Sequence, residues 1–261
     1  MKKKLLAVSM VAALGVTAVG GTLAYFSDTD AQTNTFTTGN VAIDLWEDFG
    51  DNDNEGIEEL IPAVGSAQNG TLKNGIEKEV YVTNTGSENA YVRVHIAIPS
   101  ILDNAQPDFD ASKNVLHFNY SKESVADGKW NWSNSVDGTT GSNWNYYTIK
   151  IDGIDYNVYV VTYETKLAKD ESTVDAMSQV YLDSKTSNED IKKIKGTLGD
   201  NWYIYVAAEG TQAEGFDDAY TALNTAFGNP TDSTYTSKID WKTVSGKTWV
   251  DTDEKTEEPA E

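Results

Sequence analysis

Cysteine is absent from the 261 residues, which excludes disulfide bridges, thiol nucleophiles and cysteine-ligated metals. Stability must therefore come from a packed core. Arginine occurs once, as Arg93, and histidine twice, as His95 and His117. The two histidines belong to no His-Glu-x-x-His sequence and share no helical face, so zinc proteolysis has no ligand set here. Positive charge is scarce: 20 basic residues face 41 acidic ones, a formal net charge of −21. A chain so acidic repels phosphate and lacks a basic face, which argues against nucleic acid as a partner. Phosphate loops, dinucleotide fingerprints and a Ser-His-Asp ordering are missing too, and the chain reads as a non-enzyme with no catalytic or cofactor-binding residue.

What is present begins with Lys2, Lys3 and Lys4, followed by an uncharged apolar run from Leu5 to Val19. This is the pattern of a secretory signal peptide. Gly20-Gly21 breaks the run, and Thr22-Leu23-Ala24 places small residues where a signal peptidase needs them, so cleavage is expected between Ala24 and Tyr25. A retained membrane anchor is the other reading of the same run, which extends to about the length of a span. Asp28 and Asp30 follow on the side that the positive-inside rule assigns to export. Cleavage would remove three of the 20 basic residues and leave 17 against 41 acidic ones, an acidic surface whose self-association responds to cations and acid.

Beyond residue 39 the sequence is rich in β-prone, alternating segments. Strands are predicted over Asn40–Trp46, Ile76–Asn84, Ala90–Ile98, Val115–Tyr120, Asn145–Ile151 and Ile154–Tyr163. In Tyr91–Ile98, Val92, Val94, Ile96 and Ile98 form one apolar face, as in a half-buried strand. Asp152-Gly153 reads as a two-residue hairpin turn, and Asn84–Asn89 as another turn between strands. Helices are predicted over Ser172–Lys185, Asn188–Lys195 and Phe216–Phe227. The expected fold is all-β, a jelly-roll-like antiparallel sandwich over residues 39–250 with a few helices inserted late, followed by a disordered acidic tail, 251–261.

Gly20-Gly21-Thr22-Leu23-Ala24-Tyr25-Phe26-Ser27-Asp28, continued by Asn34-Thr35-Phe36-Thr37-Thr38-Gly39-Asn40-Val41-Ala42-Ile43, closely resembles the TasA/camelysin family. Val80–Val94 and Gln212–Tyr220 look like segments of its BsaA-like biofilm pilin subgroup. The resemblance implies export from a Gram-positive bacterium, processing by a SipW-type signal peptidase, and a secreted or cell-surface place in the matrix. It also implies assembly into extracellular fibres with copies of itself and other matrix proteins, by strand donation. Residues 25–38 would then be a free arm after cleavage, with Phe26 and Phe36 as its apolar anchors. A flexible chain start or an intramolecular edge strand is the plainer reading of that segment. Some family members carry a metalloprotease label, which the histidine pattern does not support.

Four further features carry candidate chemistry. Asp51, Asp53 and Glu55 imitate the start of a calcium loop, but the twelfth position is Pro62 instead of a bidentate Glu, so a solvated acidic loop is the stronger reading. Trp130, Trp132, Trp144, Tyr146 and Tyr147 could stack on sugar rings, which makes a monomeric carbohydrate-binding adhesin the rival function. Packed sheet aromatics are the commoner outcome, and exposure separates the two. Arg93, inside a strand, calls for a carboxylate partner, and His95 on the same face for a surface or network role. A pilin relationship also raises a lysine isopeptide cross-link.

Overall fold

The computed structural model describes residues 40–48, 76–103, 116–118, 129–131, 146–199 and 202–245. Their β-branched and aromatic runs form two antiparallel sheets. The first holds β1 (Ile43–Asp48), β2 (Ile76–Asn84), β8 (Met177–Leu182) and β4 (Leu116–Phe118), in the order β1-β2-β8-β4. In the second, β7 (Ile154–Leu167) pairs with β3 (Ala90–Pro99), which pairs with β9 (Tyr205–Gln212). Both β5 (Trp130–Asn131) and β6 (Tyr146–Ile151) lie in tandem along the other edge of β7. The fold is all-β and antiparallel, with few, short helices.

The sheets face one another. Ile43, Leu45, Val80 and Val82 of the first meet Val92, Val94, Ile96, Ile98, Tyr159 and Val161 of the second in one continuous core. Apolar surface removed from water contributes roughly 25 cal/mol per Å². The predicted valine and isoleucine face of β3 is thus the core face. Its opposite face is not solvated, however: all ten β3 residues are buried. The strand is covered on both sides, because residues 213–245 fold back over the second sheet as a third layer.

That layer contains α2 (Ala219–Phe227) and α3 (Trp241–Ser245). Ala219, Ala222, Leu223 and Phe227 pack against Tyr91, while Trp241 and Val244 pack against Ala97, Tyr156, Val158 and Ala207. The predicted helix at 216–227 begins later, because Asp218 is its N-cap and accepts from the Thr221 amide at 2.8 Å. Helix α1 (Asn188–Leu198) lies where expected, started by a Ser187/Asp190 capping box.

The helix expected over 172–185 does not form; its central residues, Met177–Leu182, are strand. Thr173 and Ala176 donate their amides to the carbonyls of Val82 and Val80, and Met177, Val180 and Leu182 are buried between β2 and β4. A middle strand's hydrogen bonds and burial outweigh helix propensities of less than about 1 kcal/mol per residue. The hairpin at Asp152-Gly153 forms as predicted, with φ of 49° and 87° and Ile151 opposite Ile154. Such a turn needs positive φ at both positions. Among the described residues, no helix is long and apolar enough to cross a membrane.

Candidate functional site

Two constellations stand out, and both grow from segments singled out in the sequence. The first is the turn at Asn84–Asn89. It joins β2 to β3 and so passes from one sheet to the other. Asn84 is fully buried and pins it: its side-chain amide donates to the carbonyls of Glu88 (2.8 Å) and Leu167 (2.9 Å), and its Oδ1 accepts from the Gly86 amide (3.0 Å). Asn and Gly are suited to such turns by these local bonds and by small size.

The same turn grips the chain just before β1. The amides of Thr85 and Gly86 donate to the Ala42 carbonyl, the Ser87 amide donates to the Asn40 carbonyl at 2.8 Å, and the Asn40 amide donates to Ser87 Oγ at 2.9 Å. Asn40 is exposed. It stands three residues before edge strand β1. Ile43 of β1 packs across onto Gly210 of β9, so the first sheet's β1 edge and the second sheet's β9 edge lie on one flank.

The second constellation lies between the second sheet and the 213–245 layer. Arg93, predicted to need a carboxylate, finds Glu209 of β9: Nε and Nη2 each stand 2.7 Å from Oε2. Its Nη1 donates across the seam to Asn224 Oδ1 (3.2 Å) and the Gly228 carbonyl (3.1 Å), and Phe227 lies under the guanidinium. His95 is fully buried beside it, with Nε2 3.1 Å from Glu209 Oε2 and Nδ1 3.1 Å from the Tyr147 hydroxyl, which reaches Ser237 Oγ at 3.1 Å. Burial holds His95 below the usual histidine range, against the pull of Glu209. Burial would raise the Glu209 carboxyl, but His95 and Arg93 outweigh it and hold the group low.

Sequence reasoning found Arg93 and His95 but missed Glu209. The available signal was one acid in the small, apolar run Tyr205-Val206-Ala207-Ala208-Glu209, the counterpart of one arginine in an apolar strand.

None of the described members of the aromatic stretch is exposed as a sugar platform requires. Trp130 is 1% exposed, donates Nε1 to the Val174 carbonyl and packs edge-on against Tyr163; Tyr146 and Tyr147 are half-buried. Trp132 and Trp144 lie outside the described residues. The one exposed large aromatic side chain among the described residues is Tyr203, stacked on Tyr205 with centroids 6.0 Å apart and planes 22° apart. The lysines whose side chains are described are exposed, apart from half-buried Lys129.

Ala24, Tyr25, Phe26 and Phe36, like Asp51, Asp53 and Glu55, fall outside the described residues, so cleavage site, arm and calcium loop all do. Among the described residues no group of three His, Cys, Asp or Glu is placed to hold a metal ion. The two histidines sit on different sheets, His95 on β3 and His117 on β4.

Residues 1–87 match the family model described as camelysin metallo-endopeptidase. The match supports the TasA/camelysin resemblance over the first third of the chain, and it ends at Ser87, inside the turn that grips Asn40. No curated protein and no solved structure matches.

Proposed function

From the camelysin-type N-terminal third we infer that this chain is an exported structural subunit of an extracellular biofilm-matrix fibre or pilus, secreted or held at the cell surface. Its N-terminal arm, residues 25–38, is freed by a SipW-type signal peptidase and donated to a neighbouring copy. The observation that supports this reading is the grip of Asn84–Glu88 on residues 40–42, just ahead of edge strand β1. The β1 and β9 edges nearby have no strand partner on their outer sides among the described residues. An extended segment of threonines with two phenylalanine anchors suits addition to such an edge, with main-chain bonds giving affinity and alternate side chains specificity. Before cleavage the same segment is tied to the membrane by Leu5–Val19, so processing licenses assembly. Metalloprotease chemistry is not part of this reading, because neither histidine belongs to a His-Glu-x-x-His sequence.

Electron microscopy and sedimentation of a chain beginning at Tyr25, against one beginning at Gly39, test the proposal. Fibres are expected from the first chain and monomers from the second. Monomers from both over a range of salt and pH, or equal polymerisation by both, refute arm donation. Exposed Tyr203, stacked on half-buried Tyr205, favours a second reading, a carbohydrate-binding adhesin. Glycan-array binding by the Gly39 chain that disappears in Tyr203→Ala would support it.

A further inference from the structure

The third layer is attached unevenly. At either end it packs through apolar clusters, Tyr91 with Leu223 and Phe227 at one and Ala97 with Trp241 and Val244 at the other. Between them, beside the edge-on contact of Tyr147 with Tyr235, two polar links to the layer converge on one carboxylate. Arg93 holds Glu209 and reaches over to Asn224 and Gly228. His95 holds Glu209 and reaches over, through Tyr147, to Ser237. We propose that this chain of side chains is an acid-sensitive clasp: with His95 neutral it holds residues 213–245 on the second sheet, and protonation of His95 releases that layer while the two-sheet sandwich stays folded.

Proton bookkeeping supports the clasp. Glu209 is an acceptor, so neutral His95 keeps its proton on Nε2, and its bare Nδ1 faces the oxygen of Tyr147, whose hydroxyl donates to Ser237 Oγ. A second proton must go onto Nδ1. The effect of that proton is charge. The titratable and charged groups facing His95 among the described residues are Arg93 on its own strand, Glu209 on β9, Tyr147 on β6 and Tyr235 in the layer. Protonation sets two cations on one carboxylate in a buried seam, and an uncompensated buried charge is costly until water reaches it. Water reaches it when the layer lifts. Burial already holds His95 below the usual histidine range, consistent with a seam that resists this proton. The core between the two sheets contains neither Arg93 nor His95 nor Glu209, so it does not share the weakness. This clasp is independent of arm donation.

Amide hydrogen exchange on the intact protein, corrected for the intrinsic pH dependence, tests it together with NMR titration of the two imidazoles. Amides of the layer, such as Ala222, Gly228 and Val244, should exchange faster as the pH falls from about 7.5 to about 5, by up to about tenfold per pH unit. Amides of β2 and β8 should not. The His95 imidazole should titrate below the usual histidine range and in step with the layer. Layer exchange independent of pH, acceleration shared equally by both sheets, or a His95 titration out of step would each overturn the clasp. His95→Gln keeps hydrogen-bonding capacity but cannot charge, and should remove the pH response. Ser237→Ala, on the layer itself, should speed layer exchange already at neutral pH.

Discussion

A Cβ on Gly86 would stand 2.6 Å from the backbone nitrogen of Ala42, closer than real Cβ atoms approach. Glycine is required there because two backbone segments, not two side chains, touch. Gly86→Ala should therefore destabilise the domain by about 1–3 kcal/mol, by pushing the start of β1 off the Asn84–Glu88 turn. Urea denaturation measures the cost. If arm donation also depends on this grip, Gly86→Ala should slow fibre growth at temperatures where the domain remains folded.

Glu209→Ala leaves Arg93 buried without its carboxylate, and breaking one side of such a pair costs about 3–5 kcal/mol. Replacing both partners, as in Arg93→Met with Glu209→Leu, should cost less than Glu209→Ala alone. Chemical denaturation of Glu209→Ala, Arg93→Met, Glu209→Leu and the double variant checks this ordering and closes the cycle. A fully additive cycle would mean that the two residues do not interact.

Stability should fall with acid. Both His95 and Glu209 have folded pKa values below their ordinary ones, 6.5 and 4.5, so the native state favours the proton-free form of each. Their contribution is complete above the unfolded values and is lost as pH drops through the folded ones. Denaturation midpoints measured downward from neutral pH should decline first through His95 and further through Glu209. His95→Gln should flatten the first part of that decline. A midpoint that rises between neutral pH and about pH 5 would contradict the sign.

Trp130 bridges β5 to the core, packed on Tyr163 and bonded to the Val174 carbonyl. Trp130→Ala should cost about 3–5 kcal/mol, as large-to-small changes at fully buried aromatic sites do. A loss under about 1 kcal/mol in thermal or chemical denaturation would mean that this aromatic is not part of the core.

Gly153 sits at φ 87° in the β6–β7 turn with open space around its Cα. Gly153→Val should lose about 1–2 kcal/mol through backbone conformation alone, with nothing clashing. Gly153→Asn should recover part of that loss, which denaturation of the two variants can compare.

Local signals decided much of this protein. The alternation in Tyr91–Ile98 marked a core face, Asp152-Gly153 marked a hairpin, and Ser187 with Asp190 began a helix, because each is a matter of neighbouring residues along the chain. One arginine inside an apolar strand likewise demanded a carboxylate before any partner was visible. Tertiary structure decided the rest. Residues 172–185 have helical composition yet hold strand Met177–Leu182, because β2 and β4 offer backbone partners that only the folded sheet brings together. Nothing near His95 in sequence announces that residues 213–245 return to bury it, so a strand that reads as half-solvated is enclosed on both faces. Glu209, 116 residues from Arg93, becomes its partner through pairing of β3 with β9. Periodicity along a chain records which face a residue takes, while long-range pairing determines what covers that face.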